Sequence, residues 1–214
     1  MSTRGSQVPA EHWESIYRDR SSDELSWSQA APATSLQVID ELGVDPGEAV
    51  VDVGAGESAL VDALLARGHR RLTILDVAHG SLERARTRLQ TVPGASSVDW
   101  VVHDVLTWTP PVAFGLWHDR AVFHFLTEPD DRRAYVDVAT RAVAPGGFLV
   151  VATFGADGPE RCSGLPVQRY DTEALAAQFA PEFLPVTSRA QSHRTPWGAV
   201  QPFTWLATRR RPSS

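Results

Sequence analysis

Apolar and polar positions change their period several times along the chain. In AEHWESIYRDR, Trp13, Ile16 and Tyr17 fall at helical spacing and predict a helix. ATSLQVIDELG repeats that period, with Ser35 offered as its cap and Gly43 as its stop. From residue 49 the pattern alternates. AVVDVGA and LTILDV are almost continuously apolar up to one acid each, as parallel strands covered on both faces are. SALVDALLARG and GSLERARTRLQ return to helical spacing, the first ending at Gly68 and the second capped near Ser81. VDWVVHDV, FGLWHDRA and GFLVVATFG read as further strands, and DDRRAYVDVATRAVAPGG and DTEALAAQFA as the helices between and after them. LPVTSRAQSHRT and QPFTWLATRRR flank the turn PWGA and predict a closing hairpin. The first ten residues carry no period and are expected to be disordered.

Strands that alternate with helices predict an α/β fold, a Rossmann-like doubly wound sheet. It should be mostly parallel, with an antiparallel strand supplied by the C-terminal hairpin. The length of 214 residues suits one such domain with small additions. Apolar residues at 43% and charged residues at 21% leave material for a sizeable core. The net charge of −6 points away from a nucleic-acid partner. All 20 basic residues are Arg, and their one run, Arg209 to Arg211, reads as a solvated tail. The single cysteine, Cys162, rules out an intrachain disulfide framework. The opening MSTRGSQVPAEHWESIY lacks an apolar secretion core, and no run reaches bilayer length, so a cytoplasmic protein without membrane attachment is expected.

The chemistry concentrates where strands end. Asp52 and Glu57 bracket the loop after the first core strand, and Asp76, Asp104 and Asp119 end the next three. In an open α/β sheet ligands bind beyond those carboxyl ends. Gly54, Gly56 and Ala59 satisfy a dinucleotide pattern, and Asp76 stands about 20 residues on, where a ribose-binding acid belongs. A pyrophosphate, however, brings negative charge to the loop that Asp52 and Glu57 would crowd. A nucleoside carrying a sulfonium and an ammonium suits the acids better, and the glycines still allow close backbone approach. A nicotinamide-dependent oxidoreductase is therefore the disfavoured reading.

These residues resemble the class I S-adenosylmethionine-dependent methyltransferases over roughly residues 35 to 210. The first motif of that family, an acid followed by spaced glycines, matches Asp52, Gly54 and Gly56, with Ser58 standing where a third glycine is common. The resemblance implies that Asp76 holds the ribose hydroxyls, that Val77 flanks the adenine, and that Asp104, with Val105 beside it, meets the adenine amino group. The segment WHDRAVFHFL after the fourth strand would line the methyl-transfer site, and the APGG turn and final antiparallel strand also fit. EHWESIYRDRSSDELSW is similar to the opening of a subgroup of small bacterial methyltransferases and of some protein-lysine methyltransferases. That likeness implies a lid over residues 1–34, with Trp13, Tyr17, Trp27 and Gln29 as its candidates, ahead of a single core domain over 35–214.

The expected cofactor is S-adenosyl-L-methionine, released as S-adenosyl-L-homocysteine. Methyl transfer is an in-line displacement for which the cofactor supplies the activated group, and the protein chiefly positions the acceptor. Where the acceptor arrives protonated, His118 is the first candidate base and Asp119 the second or its orienter. Arg120, His124, Arg169 and Tyr170 are candidates for gripping the substrate, although a lone His among apolar residues, as His124 is, is more often a core residue. Cys162, in a Gly/Pro-bearing loop long enough to meet a substrate, reads as a small buried hydrophobe. The histidines and the lone cysteine have no metal-ligand spacing, so no metal is expected. A compact chain with little beyond its core suits a small-molecule acceptor, as monomer or homodimer. A protein-lysine methyltransferase is the alternative, and a non-catalytic cofactor-binding protein a further one.

Overall fold

Seven strands of one sheet carry the molecule: Val50–Val53 (β1), Leu72–Asp76 (β2), Val98–Val102 (β3), Phe114–Arg120 (β4), Val143–Phe154 (β5), Phe183–Arg194 (β8) and Val200–Arg210 (β9). A separate two-stranded ribbon, Arg161–Cys162 (β6) and Leu165–Pro166 (β7), lies between β5 and β8 in the chain. The computed structural model describes residues 10–21, 24–29 and 31–212. The disorder expected at the start therefore falls on residues 1–9, outside the described residues, and on Ala10, which opens a helix.

The sheet order is β3-β2-β1-β4-β5-β9-β8. The first five strands run parallel, and β9 pairs antiparallel with both β5 and β8. The sheet grows outward from β1 in one direction and then, from β4, in the other. This reversal leaves a crevice at the carboxyl ends of β1 and β4, the switch point where such sheets bind ligands. Every residue of β1 and β2 is buried, as their unbroken apolar pattern requires.

The helices are Ala10–Asp19 (α1), Ala33–Leu42 (α2), Leu60–Ala66 (α3), His79–Arg88 (α4), Pro129–Ala142 (α5) and Thr172–Phe179 (α6). One apolar cluster joins α5 and α6 to the sheet through Tyr135, Val138, Leu175 and Phe179. The other joins α2, α3 and α4 to its opposite face through Val38, Leu64 and Leu82. A third, smaller cluster, Ile16, Tyr17, Leu25 and Ala78 with Trp13 and Trp27 against it, docks the N-terminal segment above the crevice.

Three expected boundaries move. Ser35 does not cap α2: the helix begins at Ala33 after Pro32, and Ser35 is buried inside its first turn. Ser81 likewise lies inside α4, its hydroxyl donating to Ala78 O at 2.9 Å. The APGG turn does not end a helix before a strand. Helix α5 stops at Ala142, and β5 begins at Val143 and absorbs the turn as an irregularity in its pairing with β4. Gly43 does stop α2, in the left-handed conformation at φ 64°.

Candidate active site

The loop after β1 folds back over the crevice by using two glycines. Gly54 and Gly56 sit at φ +62° and +54°, where a side chain is strained, and a Cβ on Gly54 would overlap Val122 while one on Gly56 would overlap the Tyr17 hydroxyl. Gly54 N donates to Leu75 O at 2.7 Å and Gly56 N to Asp76 Oδ2 at 2.8 Å. Asp76 Oδ1 accepts from Ala78 N at 2.8 Å. The acid that ends β2 thus ties the glycine loop to the start of α4. Burial pushes its carboxyl up to about 6, against the backbone N–H donors that favour its ionised form.

Asp52 and His118 are register partners on β1 and β4. His118 Nδ1 lies 2.7 Å from Asp52 Oδ1, and its Nε2 lies 3.0 Å from the Ser35 hydroxyl. Both ring nitrogens are therefore engaged, and the ring is 2% exposed. Asp52 Oδ2 is buried and has no hydrogen-bond partner among the described residues. Glu57 is ion-paired with Arg84, so the loop's second acid is already answered within the protein.

Two adjoining clefts open at this end of the sheet. The larger, about 880 Å³ with its mouth, is lined from the β2 and β3 side by Asp76, Val77, Asp104, Val105 and Leu106. From β4 and the turn after it come Arg120, Val122 and Phe125; Trp13, Tyr17 and Trp27 of the N-terminal segment and Cys162 of the β6–β7 ribbon complete it. The smaller, about 640 Å³, reaches Ser35, Asp52, Glu57 and His118, and shares Trp27, Val53, Gly54 and Arg120 with the first. Asp104 also braces its own turn, Oδ1 accepting from Leu106 N at 2.9 Å. Among the described residues no group of three or more His, Cys, Asp and Glu is disposed to hold a metal. No helix among them is long and apolar enough to cross a membrane.

Residues 50–147 match the model of a methyltransferase domain family. Over that stretch the chain is similar to methyltransferase domains. It is 28% identical over 142 residues to probable thiol methyltransferase 2 of Arabidopsis thaliana, covering 66% of this chain and 61% of that one. It is 30% identical over 112 residues to nodulation protein S of Rhizobium tropici, covering 52% of this chain and 44% of the relative. The match thus spans less than two thirds of either relative's length. The fold superposes with a TM-score of 0.75, at 22% identity, on the Burkholderia thailandensis 1,6-didemethyltoxoflavin-N1-methyltransferase solved with its substrate and S-adenosylhomocysteine, covering 94% of this chain and 87% of that one.

The expected cofactor residues converge: Trp27, Gly54, Asp76, Val77, Asp104 and Val105 line the larger cleft, Asp52 the smaller, and Gly56 braces Asp76. Of the expected catalytic and substrate residues, only His118 and Arg120 line a cleft. Side chains alternate across a strand, so Asp119 faces away from His118. It is fully buried, accepts from Val122 N at 2.8 Å and Phe123 N at 3.1 Å, and receives the Tyr135 hydroxyl. It fixes the turn after β4 and lines neither cleft, which corrects the expectation of a base there. His118 borders the smaller cleft, held by Asp52 at one ring nitrogen and by Ser35 at the other. His124 is fully buried in the core, and burial, reinforced by Arg120, lowers it to about 3.

Arg169 is spent on Gly158 O at 3.0 Å and Glu160 at 3.2 Å, and Tyr170 packs on Phe123 at 5.7 Å; both lie outside the clefts. Of the four expected substrate residues only Arg120 reaches the site. Pattern reasoning missed Ser35 as the partner of His118, Glu14 as the acceptor for Gly80 N at 3.2 Å, and His193, which contacts Ser26 O at 2.6 Å. Their partners are 66 to 167 residues away, so no local signal marks them.

Proposed function

We propose that the chain transfers a methyl group from S-adenosyl-L-methionine to a small-molecule acceptor. The observation that carries this reading is the larger cleft's composition: an acid ending β2, an acid after β3, and apolar Val77 and Val105 beside them, next to glycines that admit a close ligand. Asp76 accepts from ribose hydroxyls, Asp104 from the adenine amino group, and the two valines pack on the base. The unpartnered Asp52 Oδ2 in the smaller cleft fits the cofactor's ammonium, and no pyrophosphate is served by a dry carboxylate there. His118 holds Asp52 in place. When bound, the cofactor supplies a methyl group activated by its sulfonium. Trp13, Tyr17 and Trp27 act as the lid, keeping water from the larger cleft and the acceptor close. Probable thiol methyltransferase 2 and 1,6-didemethyltoxoflavin-N1-methyltransferase, both named for small acceptors, support the small-molecule reading.

Calorimetric titration with S-adenosylhomocysteine and with NAD tests the cofactor: the first should bind and the second should not. Incubation with methyl-labelled cofactor and cell extract, split into protein and small-molecule fractions, tests the acceptor. Label in the small-molecule fraction is expected, and label confined to protein would favour lysine methylation instead.

A further inference from the structure

Two buried charges border the smaller cleft without pairing to each other. Asp52 gives Oδ1 to His118 and keeps Oδ2 dry, with no partner among the described residues. Arg120 stands where the two clefts join. Its Nη1 donates to Trp27 O at 2.8 Å, its guanidinium lies over the Phe203 ring at 5.5 Å, and its Nη2 is shielded from solvent with no partner among the described residues. Burial brings it down to about 10, so it remains charged at neutral pH. Asp52 acts on it only through space. An open acceptor and an open donor, both desolvated, are costly unless a ligand reaches them. An α-amino acid answers both, because it carries an ammonium and a carboxylate on one carbon. An anionic acceptor answers Arg120 alone and leaves Asp52 dry.

Arg120 also carries the lid. Trp27 lines both clefts and packs edge-on against Trp13 at 6.0 Å and Tyr17 at 6.2 Å. Docking this aromatic layer takes the guanidinium out of water and gives it one neutral carbonyl in return. The charge itself is left unanswered, which weighs against the docked lid. Cys162 lies beside Arg120, but burial raises its thiol and keeps it neutral. His124 and His193, which also face Arg120, bring no negative charge. A carboxylate on Nη2 removes the penalty and adds a charge-assisted hydrogen bond under the same lid.

We infer that Arg120 receives the carboxylate at the amino-acid end of the cofactor, across from the ammonium on Asp52, and that this contact, rather than the adenosine end, holds the Trp27 lid down. The inference rests on the methyl-transfer reading above, and it moves Arg120 from the acceptor to the cofactor. It gives the site a selection rule. A nucleoside thioether without the carboxylate can fill the adenosine pocket beside Asp76 and Asp104, yet it leaves the guanidinium bare and the lid loose. The decarboxylated form of the cofactor is therefore discriminated against at Arg120, away from the adenosine contacts.

Three thioethers separate the parts: S-adenosylhomocysteine, its decarboxylated analogue S-adenosyl-3-thiopropylamine, and 5′-methylthioadenosine, which keeps only the adenosine end. By calorimetry the wild type should bind the decarboxylated analogue about tenfold or more weaker than S-adenosylhomocysteine, the loss of one hydrogen bond to a charged group. In Arg120→Gln that gap should close, S-adenosylhomocysteine weakening while the analogue does not, and Arg120→Lys should reopen part of it. Tryptic cutting at Arg18 and Arg20 of the wild type should slow with saturating S-adenosylhomocysteine and stay fast with the other two at saturation. Equal affinity of the wild type for S-adenosylhomocysteine and its decarboxylated analogue would overturn the inference. So would equal protection of the lid by both, and neither result needs a variant to fold. A gap that survives intact in Arg120→Gln would also overturn it and return Arg120 to the acceptor. Failure of both S-adenosylhomocysteine and 5′-methylthioadenosine to bind the wild type would instead sink the cofactor reading beneath it.

Discussion

His118 shows how a residue's partners redirect its chemistry. Its place at the end of β4 invites a catalytic role, yet the ring is clamped between Asp52 and Ser35. His118→Ala should leave Asp52 with neither oxygen answered, a loss of about 1–3 kcal/mol for a buried polar group. Denaturant unfolding should register that loss, and S-adenosylhomocysteine should bind more weakly. The kcat–pH profile at saturating cofactor should keep its shape; disappearance of one limb with cofactor binding intact would restore the base role. Gly54→Ala is predicted to be worse. It combines a left-handed φ of +62° with overlap on Val122, together about 2–5 kcal/mol, and should abolish measurable cofactor binding. The strand-end acids and spaced glycines were legible because they interrupt apolar runs. The separate fates of His118 and Asp119 were not, because adjacent residues of a strand face different layers, and what fills each layer comes from distant segments.

At the scale of elements, the alternating pattern was legible nearly throughout, and its errors cluster at ends. Ser35 and Ser81 look like caps, but α4 starts on other groups: Asp76 accepts from Ala78 N and Glu14 from Gly80 N, the second residue of the helix. Glu14 belongs to α1, so the same contact fastens the N-terminal segment. Residues 24–29 are held from three sides, by Arg120 on Trp27 O, by His193 on Ser26 O, and by Gln29 near His193 Nδ1 at 3.3 Å. Nearby Arg18 and Arg20 stay exposed. Trypsin can therefore reach Arg18 and Arg20, and saturating S-adenosylhomocysteine should slow cutting there at least severalfold by holding Trp13, Tyr17 and Trp27 against it. Trp27→Ala should remove the protection. Mass spectrometry of the early fragments checks both statements, and equal cutting rates with and without ligand would show that the segment does not close on the cofactor.

For the whole molecule, the buried acids set stability and binding against each other along the pH scale. Asp76 and Asp119 are both raised to about 6 from 3.8, mainly by burial. A carboxyl with a raised folded pKa binds its proton more tightly folded than unfolded. Its contribution is fully present below the unfolded value and is lost as pH rises through about 6. Ribose hydroxyls donating to Asp76 favour the ionised form, so cofactor binding runs the other way and weakens as pH falls through 6. Ligand at 100 times its Kd adds about 2.7 kcal/mol, which for a chain of this size corresponds to a Tm increase of about 5–11 °C. The increase given by S-adenosylhomocysteine should therefore be largest near pH 7.5 and shrink by pH 5.5. In Asp76→Asn it should be small at both, because the neutral amide cannot gain charge. Thermal melts of both proteins at the two pH values decide this, and a wild-type increase that stays constant would remove Asp76 from the cofactor's contacts.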